Sequence, residues 1–242
     1  MISVCMAVYN GERYIEKQIF SILNQLNDND ELIILDDCSS DLSVVLINNI
    51  ADQRIKFVSN KINIGVVKTF ERAISIAKGE YIFLSDQDDI WLPGKVKSIL
   101  NVFDTTESLA VVSNACVIDV NENVILESFF QWRKSGPGFI KNIYKNSFLG
   151  CCLAFRSEAV NFIIPFPRFI LMHDEWIGLT CTVAGKVYFL NESLILYRRH
   201  DKNVSEMKPG TIMYMIKKRF TYIIYLFFRF NKIFAFRRSH TY

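Results

Sequence analysis

The stretch LSDQDDIW at 84–91 sets Asp86, Asp88 and Asp89 within four positions, at the end of the apolar run YIFL. Carboxylates this close raise one another's pKa unless a cation joins them. Asp86 and Asp88, one residue apart, can offer oxygen ligands to one divalent ion. Mg2+ or Mn2+ suits such a site, with water and a substrate's phosphates completing the shell. Three more sets carry chemistry. Asp36 and Asp37 follow ELIIL. His173, Asp174 and Glu175 precede an apolar helical pattern. Arg198, Arg199 and His200 follow LILY. Asp174 can take a proton from a hydroxyl, with Glu175 as the neighbouring alternative. Equally, Asp174 can cap or charge-stabilise the start of its helix. The guanidinium groups suit phosphate oxygens. His200 can complete a metal shell or simply belong to a polar loop.

These residues need elements to hold them. ISVCMAV, ELIILDD, IKFVS and YIFLS read as buried strands. Between them ERYIEKQIFSILNQ, LSVVLINNIA and VVKTFERAISIAKG carry helical apolar spacing, with Asp41 as a cap of the second and Gly79 ending the third. Pro93 takes the first turn of PGKVKSILNVF. Alternation of this kind builds a largely parallel sheet whose ligands bind at the carboxyl ends of the strands. Further along, LAVVSNACVI and SFLGCCLAF read as strands, DEWIGLTCTVAG as a helix, and KVYFL and LILYRR as two short strands. Asn63 and Gly65 read as a turn, Trp91 as a packing anchor, and Gly150 as a point of close approach.

Half of the 242 residues are hydrophobic, which excludes a disordered chain. The net charge of +3 conceals a split: positions 1–206 hold 20 basic against 25 acidic residues, and positions 207–242 hold eight basic and no acidic residues. Six scattered cysteines without a CxxC pair read as reduced thiols. The first strand shows no basic leader, and no uncharged apolar run reaches the roughly 20 residues of a spanning helix. The tail, TIMYMIKKRFTYIIYLFFRFNKIFAFRR, is basic and aromatic-rich. It fits an interfacial helix against anionic headgroups, or a helix packed on the body. So much apolar surface argues against a nucleic-acid arm.

ISVCMAVYNGERYI, LIILDDCSSD, NINIG, GEYIFLSDQDDIW, GCCLAFRSEA and HDEW…GKVYFLNESLILYRRHDKNVS occur in this order. Together they resemble family 2 glycosyltransferases, nearest to a bacterial rhamnosyltransferase-like branch. The resemblance implies an α/β GT-A fold, a Rossmann-like, mostly parallel sheet flanked by helices. With the composition break near 208–210, it divides the chain into a catalytic domain at 1–206, with a nucleotide-sugar half at 1–108 and an acceptor half at 109–206, and a basic helical tail at 207–242. It implies that Ala7, Tyr9, Asn10 and Glu12 cradle the nucleotide and that Asp37 meets the nucleobase. Asp86 and Asp88 match the DxD that holds metal and diphosphate. Asp174 matches the base and His173 the substituted acid before it. From their own chemistry, His200 is added as a metal ligand and Arg198 as a substrate contact. The cofactor is Mg2+ or Mn2+. The partners are a nucleotide-diphosphate sugar, possessing rhamnose on the branch resemblance, and a glycan or lipid-linked acceptor of O-antigen or capsule assembly. The enzyme is then cytoplasmic and peripheral on the inner face of the membrane. A non-catalytic nucleotide-binding membrane adaptor and a receiver-like signalling domain are the competing readings; the second acidic cluster and HDEW count against the receiver.

Overall fold

The computed structural model describes residues 1–201, 203 and 212–239. Strand β1 (Ile2–Val8), helix α1 (Ile15–Leu23), β2 (Glu31–Asp36), α2 (Ser43–Asn49), β3 (Ile55–Ser59), α3 (Val66–Ile76) and β4 (Tyr81–Ser85) alternate through the first part of the chain. After them come β5 (Ile90–Trp91), α4 (Lys95–Thr105), β6 (Ser108–Ile118), β7 (Val124–Leu126), α5 (Phe129–Arg133), α6 (Phe139–Tyr144), β8 (Leu153–Arg156), α7 (Val160–Ile163), α8 (His173–Ala184), β9 (Lys186–Arg198) and α9 (Ile212–Ser239). One sheet runs through both halves in the order β3-β2-β1-β4-β8-β6-β9-β5, with β7 on the flank of β6. β1, β2, β3 and β4 are parallel. β8 enters antiparallel between β4 and β6, and β6 then runs parallel to β9.

The burial follows the residue pattern. β1 and β2 are covered on both faces, so they carry near-continuous apolar side chains. Ile15, Ile19, Ile22 and Leu23 turn one face of α1 into the core, and Phe70, Ala73 and Ile74 do so for α3. Trp91 is buried in β5 and tilts against Phe83.

Several local expectations are corrected. α3 ends at Ala77 rather than at a glycine cap. Gly79 is required for a different reason: a Cβ there would lie 2.4 Å from the Ser3 backbone nitrogen. α4 starts at Lys95 behind Gly94 in the left-handed region, so Pro93 precedes the helix instead of occupying its first turn. Asp41 accepts from the Ser43 amide, although Leu42 is the residue that flanks α2. KVYFL and LILYR are one strand, β9, because β6 pairs with it along its length through three irregularities in register. Gly150–Cys152 form a single 3-10 turn, and the strand begins only at Leu153.

The tail helix lies on the body. Tyr222, Leu226 and Ile233 are buried on one face of α9. Arg219 donates to the carbonyls of Ile143 and Tyr144, Arg229 to those of Ile164 and Pro165, and Arg237 to that of Ala184. The opposite face carries exposed Phe220, Ile223, Ile224, Phe227, Phe230 and Phe234 at helical spacing. The domain boundary expected at 206/207 lies outside the described residues. Gly79→Ala forces the α3–β4 turn away from β1 and is expected to lower unfolding free energy by about 1–3 kcal/mol, read from the urea midpoint at constant m-value.

Candidate active site

The carboxyl ends of β1, β2 and β4 open into a cleft of about 1870 Å3. Ala7, Tyr9, Asn10, Glu12, Asp37, Asp86, Asp88, His173, Asp174 and His200 all line it. Parallel strands ending together create this edge, so residues far apart in sequence meet there.

The nucleotide-side loops are braced by side chains on backbone. Asn10 sits at φ 51°, in the left-handed region that asparagine tolerates, and its Oδ1 accepts from the Ser40 amide at 2.8 Å. Glu12 accepts from the Leu42 amide at 2.9 Å. Asp37 is buried and accepts from Asn60 Nδ2 and from the Ile64 and Gly65 amides, each at 2.8 Å. Asn63 and Gly65 therefore form a turn around Asp37, with Gly65 at φ 84°.

The acidic loop is fastened at both ends. Gln87 accepts from the Tyr9 amide at 2.8 Å and donates to the Tyr9 carbonyl at 3.0 Å, which ties it to the end of β1. A Cβ at Gly11 would lie 2.5 Å from Gln87 Oε1, so that position excludes any side chain while the clamp is closed. On the other side, Asp89 accepts from the Arg198 amide at 2.9 Å. The buried Lys95 ammonium stands near enough to feel the Asp89 charge, while burial pulls its own pKa down. Neither Gln87 nor Lys95 carries a signal in the sequence: each looks like an ordinary polar residue beside a turn.

Asp88 Oδ2 lies 2.7 Å from His200 Nε2. Asp86 is only partly covered, yet its carboxyl is pushed well above the usual range, first by desolvation and then by the charges of Asp89, Asp88 and Asp174. Asp86, Asp89 and Cys151 also place ligand atoms within 4.8 Å of one another. That trio suits a hard cation less well, because a thiol is a soft ligand and burial pushes the Cys151 thiol up. Asp86, Asp88 and His200 supply oxygen and imidazole in the cleft, ligand types that Mn2+ accepts; Asp88 and His200 are in direct contact, and Asp86 would have to close on that pair to share an ion. The concentration of negative charge at Asp86 is the observation that asks for a cation there.

One assignment fails. Arg198 is buried behind the loop and does not line the cleft. Its nitrogens donate to the carbonyls of Asp88 and Asp119 and to Glu122 Oε1, and its guanidinium covers the Tyr14 ring at 4.7 Å. A guanidinium at the end of a strand looks the same in sequence whether it points out or back. Arg199 is the one on the cleft wall.

Across the cleft, α8 begins with His173 and Asp174. Burial first, and then the Glu175 charge, push the Asp174 carboxyl up to about 7. Its Oδ1 accepts from the Glu175 amide at 2.6 Å, so the helix-start role and a chemical role share one side chain. His173 stacks on Phe70 with 3.9 Å between centroids, and neither ring nitrogen has a partner. Burial lowers its pKa to about 3, so the imidazole is neutral. Gly150 admits it: a Cβ there would meet His173 Nε2 at 3.0 Å.

The sequence matches Glycosyl transferase family 2 over residues 3–162. The chain belongs to that family. It is 30% identical to an uncharacterized glycosyltransferase of Nostoc over 84% of this chain and 66% of that protein. It is 27% identical to the Escherichia coli UDP-Glc:alpha-D-GlcNAc-diphosphoundecaprenol beta-1,3-glucosyltransferase WfgD over 86% of this chain and 81% of WfgD. The chain thus spans about two thirds of the Nostoc relative's length. Among solved structures, residues 1–349 of S. aureus TarS in complex with UDP-GlcNAc superpose with TM-score 0.71 at 18% identity, covering 99% of this chain and 74% of that one. That likeness concerns the fold, which is the GT-A glycosyltransferase fold. The rhamnosyl branch finds no specific support in these matches.

Gly11→Ala is expected to break the Gln87 clamp and lower the melting temperature by about 2–6 °C, read by thermal unfolding, with far-UV circular dichroism unchanged at 25 °C.

Proposed function

We propose that this chain is an inverting, metal-assisted glycosyltransferase of bacterial surface-glycan assembly. It moves a sugar from a nucleotide-diphosphate donor to a hydroxyl of a lipid-linked or polysaccharide acceptor. The observation that carries the reading is that Asp86, Asp88, His200 and Asp174 line one cleft at the carboxyl ends of the strands.

The loops of Ala7, Tyr9, Asn10 and Glu12, with Asp37, hold the nucleotide at the ends of β1 and β2. Asp86, Asp88 and His200 would hold the divalent ion, which stabilises the charge of the departing diphosphate. Asp174 accepts the proton of the acceptor hydroxyl as that oxygen bonds to the anomeric carbon. The carbon's bond to the diphosphate breaks in the same displacement, and its electron pair leaves with the nucleotide. One displacement inverts the anomeric centre. His173, neutral at every working pH, can make one hydrogen bond to a sugar hydroxyl without changing charge. Arg199 stands where a second cation can meet phosphate oxygens.

The donor panel that tests this reading contains UDP-glucose, UDP-GlcNAc and deoxythymidine-diphosphate rhamnose, each with Mn2+ and with nucleotide release as the readout. Asp174→Asn is expected to cut kcat by about 100- to 10,000-fold and leave donor affinity within about twofold. Unchanged turnover would remove Asp174 from the base role. Only the ionised carboxylate accepts a proton, and its pKa is raised to about 7. Below that pH the rate therefore climbs about tenfold per unit, and it levels off above.

The outward face of α9 supports a peripheral position on an anionic bilayer. No helix among the described residues is long and apolar enough to cross a membrane. Exposed Phe220, Phe227 and Phe234 sit on a helix whose charges are all basic, which matches an apolar interface flanked by anionic headgroups. A Phe227→Glu/Phe228→Glu chain is expected to lose about tenfold in partition onto phosphatidylglycerol vesicles, measured by co-sedimentation at low salt. Partition equal to that of the wild type would assign that face to another partner.

A further inference from the structure

The acceptor side of the cleft carries four cations that the reading above does not use. Arg133 comes from the end of α5, Lys145 from the residue after α6, and Lys218 and Arg219 from α9. All four line the same cleft as Asp174. Two acidic groups stand against them: Glu175 pairs with Lys218 and feels the charge of Arg133, and Asp174 feels that of Lys218. An acceptor sugar hydroxyl is uncharged and gives four cations nothing to neutralise.

The placement is built. Arg133 Nε donates to the Asn146 carbonyl at 3.0 Å, and its two terminal nitrogens donate to nothing among the described residues. That guanidinium is partly covered, and its two terminal nitrogens keep donors that an anion in the cleft could use. Arg219 grips the other side of the same loop through the carbonyls of Ile143 and Tyr144, with its guanidinium 4.4 Å from the Tyr144 ring. Residues 143–146 are thus strapped from both sides, and the strap presents the exposed Lys145 at the mouth. α9, which brings two of the cations, shows its apolar face to the outside.

We propose that Arg133, Lys145, Lys218 and Arg219 form a subsite for the diphosphate of a lipid-linked acceptor, with the lipid chain leaving along α9. This rests on the glycosyltransferase reading above, and it adds where the anionic end of the acceptor is held. A diphosphate spans several donors at once, and guanidinium groups bind its oxygens in pairs. Hydrocarbon attached to it would pass directly to the helix face that carries Phe220 and Phe227. The donor's diphosphate is assigned above to Asp86, Asp88 and His200, a separate set of residues lining the same cleft.

The test uses the whole chain, with the cleft-lining Trp132 as the reporter; Trp91 and Trp176 are buried in the core. In EDTA, which disables diphosphate capture through a divalent ion, the protein is titrated with farnesyl diphosphate, farnesol and inorganic diphosphate. Farnesyl diphosphate is expected to bind about tenfold or more tightly than either of the other two. Arg133→Gln and Lys145→Glu are each expected to weaken it about five- to tenfold, and their combination about thirtyfold or more. Lys145 is exposed, so Lys145→Glu keeps the test valid should Arg133→Gln disturb folding. Equal binding of farnesol overturns the anion subsite, and so does farnesyl diphosphate binding that ignores both substitutions. Equal binding of inorganic diphosphate overturns the lipid part. Mn2+-dependent UDP binding, read in parallel, separates the two sets. Its loss in the variants to the same degree as farnesyl diphosphate binding assigns the cations to the donor and overturns the proposal. Failure of the unaltered chain to bind either UDP or deoxythymidine diphosphate with Mn2+ overturns the metal-assisted donor reading alone.

Discussion

Like charges brought together at one sheet edge must be balanced, and the rest of this structure is arranged around that requirement. Parallel strands that end in step deliver Asp37, Asp86 and Asp88 to one rim. From behind, the protein answers with the backbone amide and carbonyl contacts of Arg198 and the buried ammonium of Lys95. From in front it leaves Asp86 with a carboxyl forced far above its ordinary range. A carboxyl in that condition favours a proton or a bound cation, and either one relieves the repulsion from the neighbouring acids. The acidic loop is therefore held rigidly in place while its charge is left open to a ligand.

The parts legible in sequence were those written in a periodic or ordered code. Continuous apolar runs marked β1, β2 and β4, and spacing by three and four marked α1 and α3. The ordered set of short motifs brought ten cleft residues to light before any geometry. Where the sequence misled, one residue type served two geometries. Gly79 looked like a cap because glycine ends many helices, yet here it makes room for the Ser3 backbone. Arg198 looked like a phosphate ligand, but strand alternation turns it back under the loop and leaves Arg199 on the cleft wall. The apparent break in KVYFLNESLILYR is a local irregularity of pairing, which only the partner strand β6 reveals. Gln87 and Arg133 could not be found from spacing, because each acts through a loop distant in sequence.

Asp174 shows how one position serves two demands. At the start of α8 its carboxylate accepts a backbone amide, as a residue stabilising a helix start would. Burial at the same place raises its pKa toward the working range of a base. The neighbouring His173 is neutral for the same reason, and Gly150 leaves it the space. Helix geometry and acid–base tuning are therefore consequences of a single buried turn.

The attachment of α9 has a further meaning. Three of its four arginines, Arg219, Arg229 and Arg237, donate to main-chain carbonyls of the body. A carbonyl is present whatever side chain its residue carries. The contacts to Ile143, Ile164, Pro165 and Ala184 thus ask nothing of the side chains there, and leave selectivity to the Lys218–Glu175 pair, the Arg219–Tyr144 contact and the apolar seam of Tyr222, Leu226 and Ile233. Such an anchor is tolerant on the body side: substitutions at those four positions that keep the main chain in place would leave its arginine contacts intact.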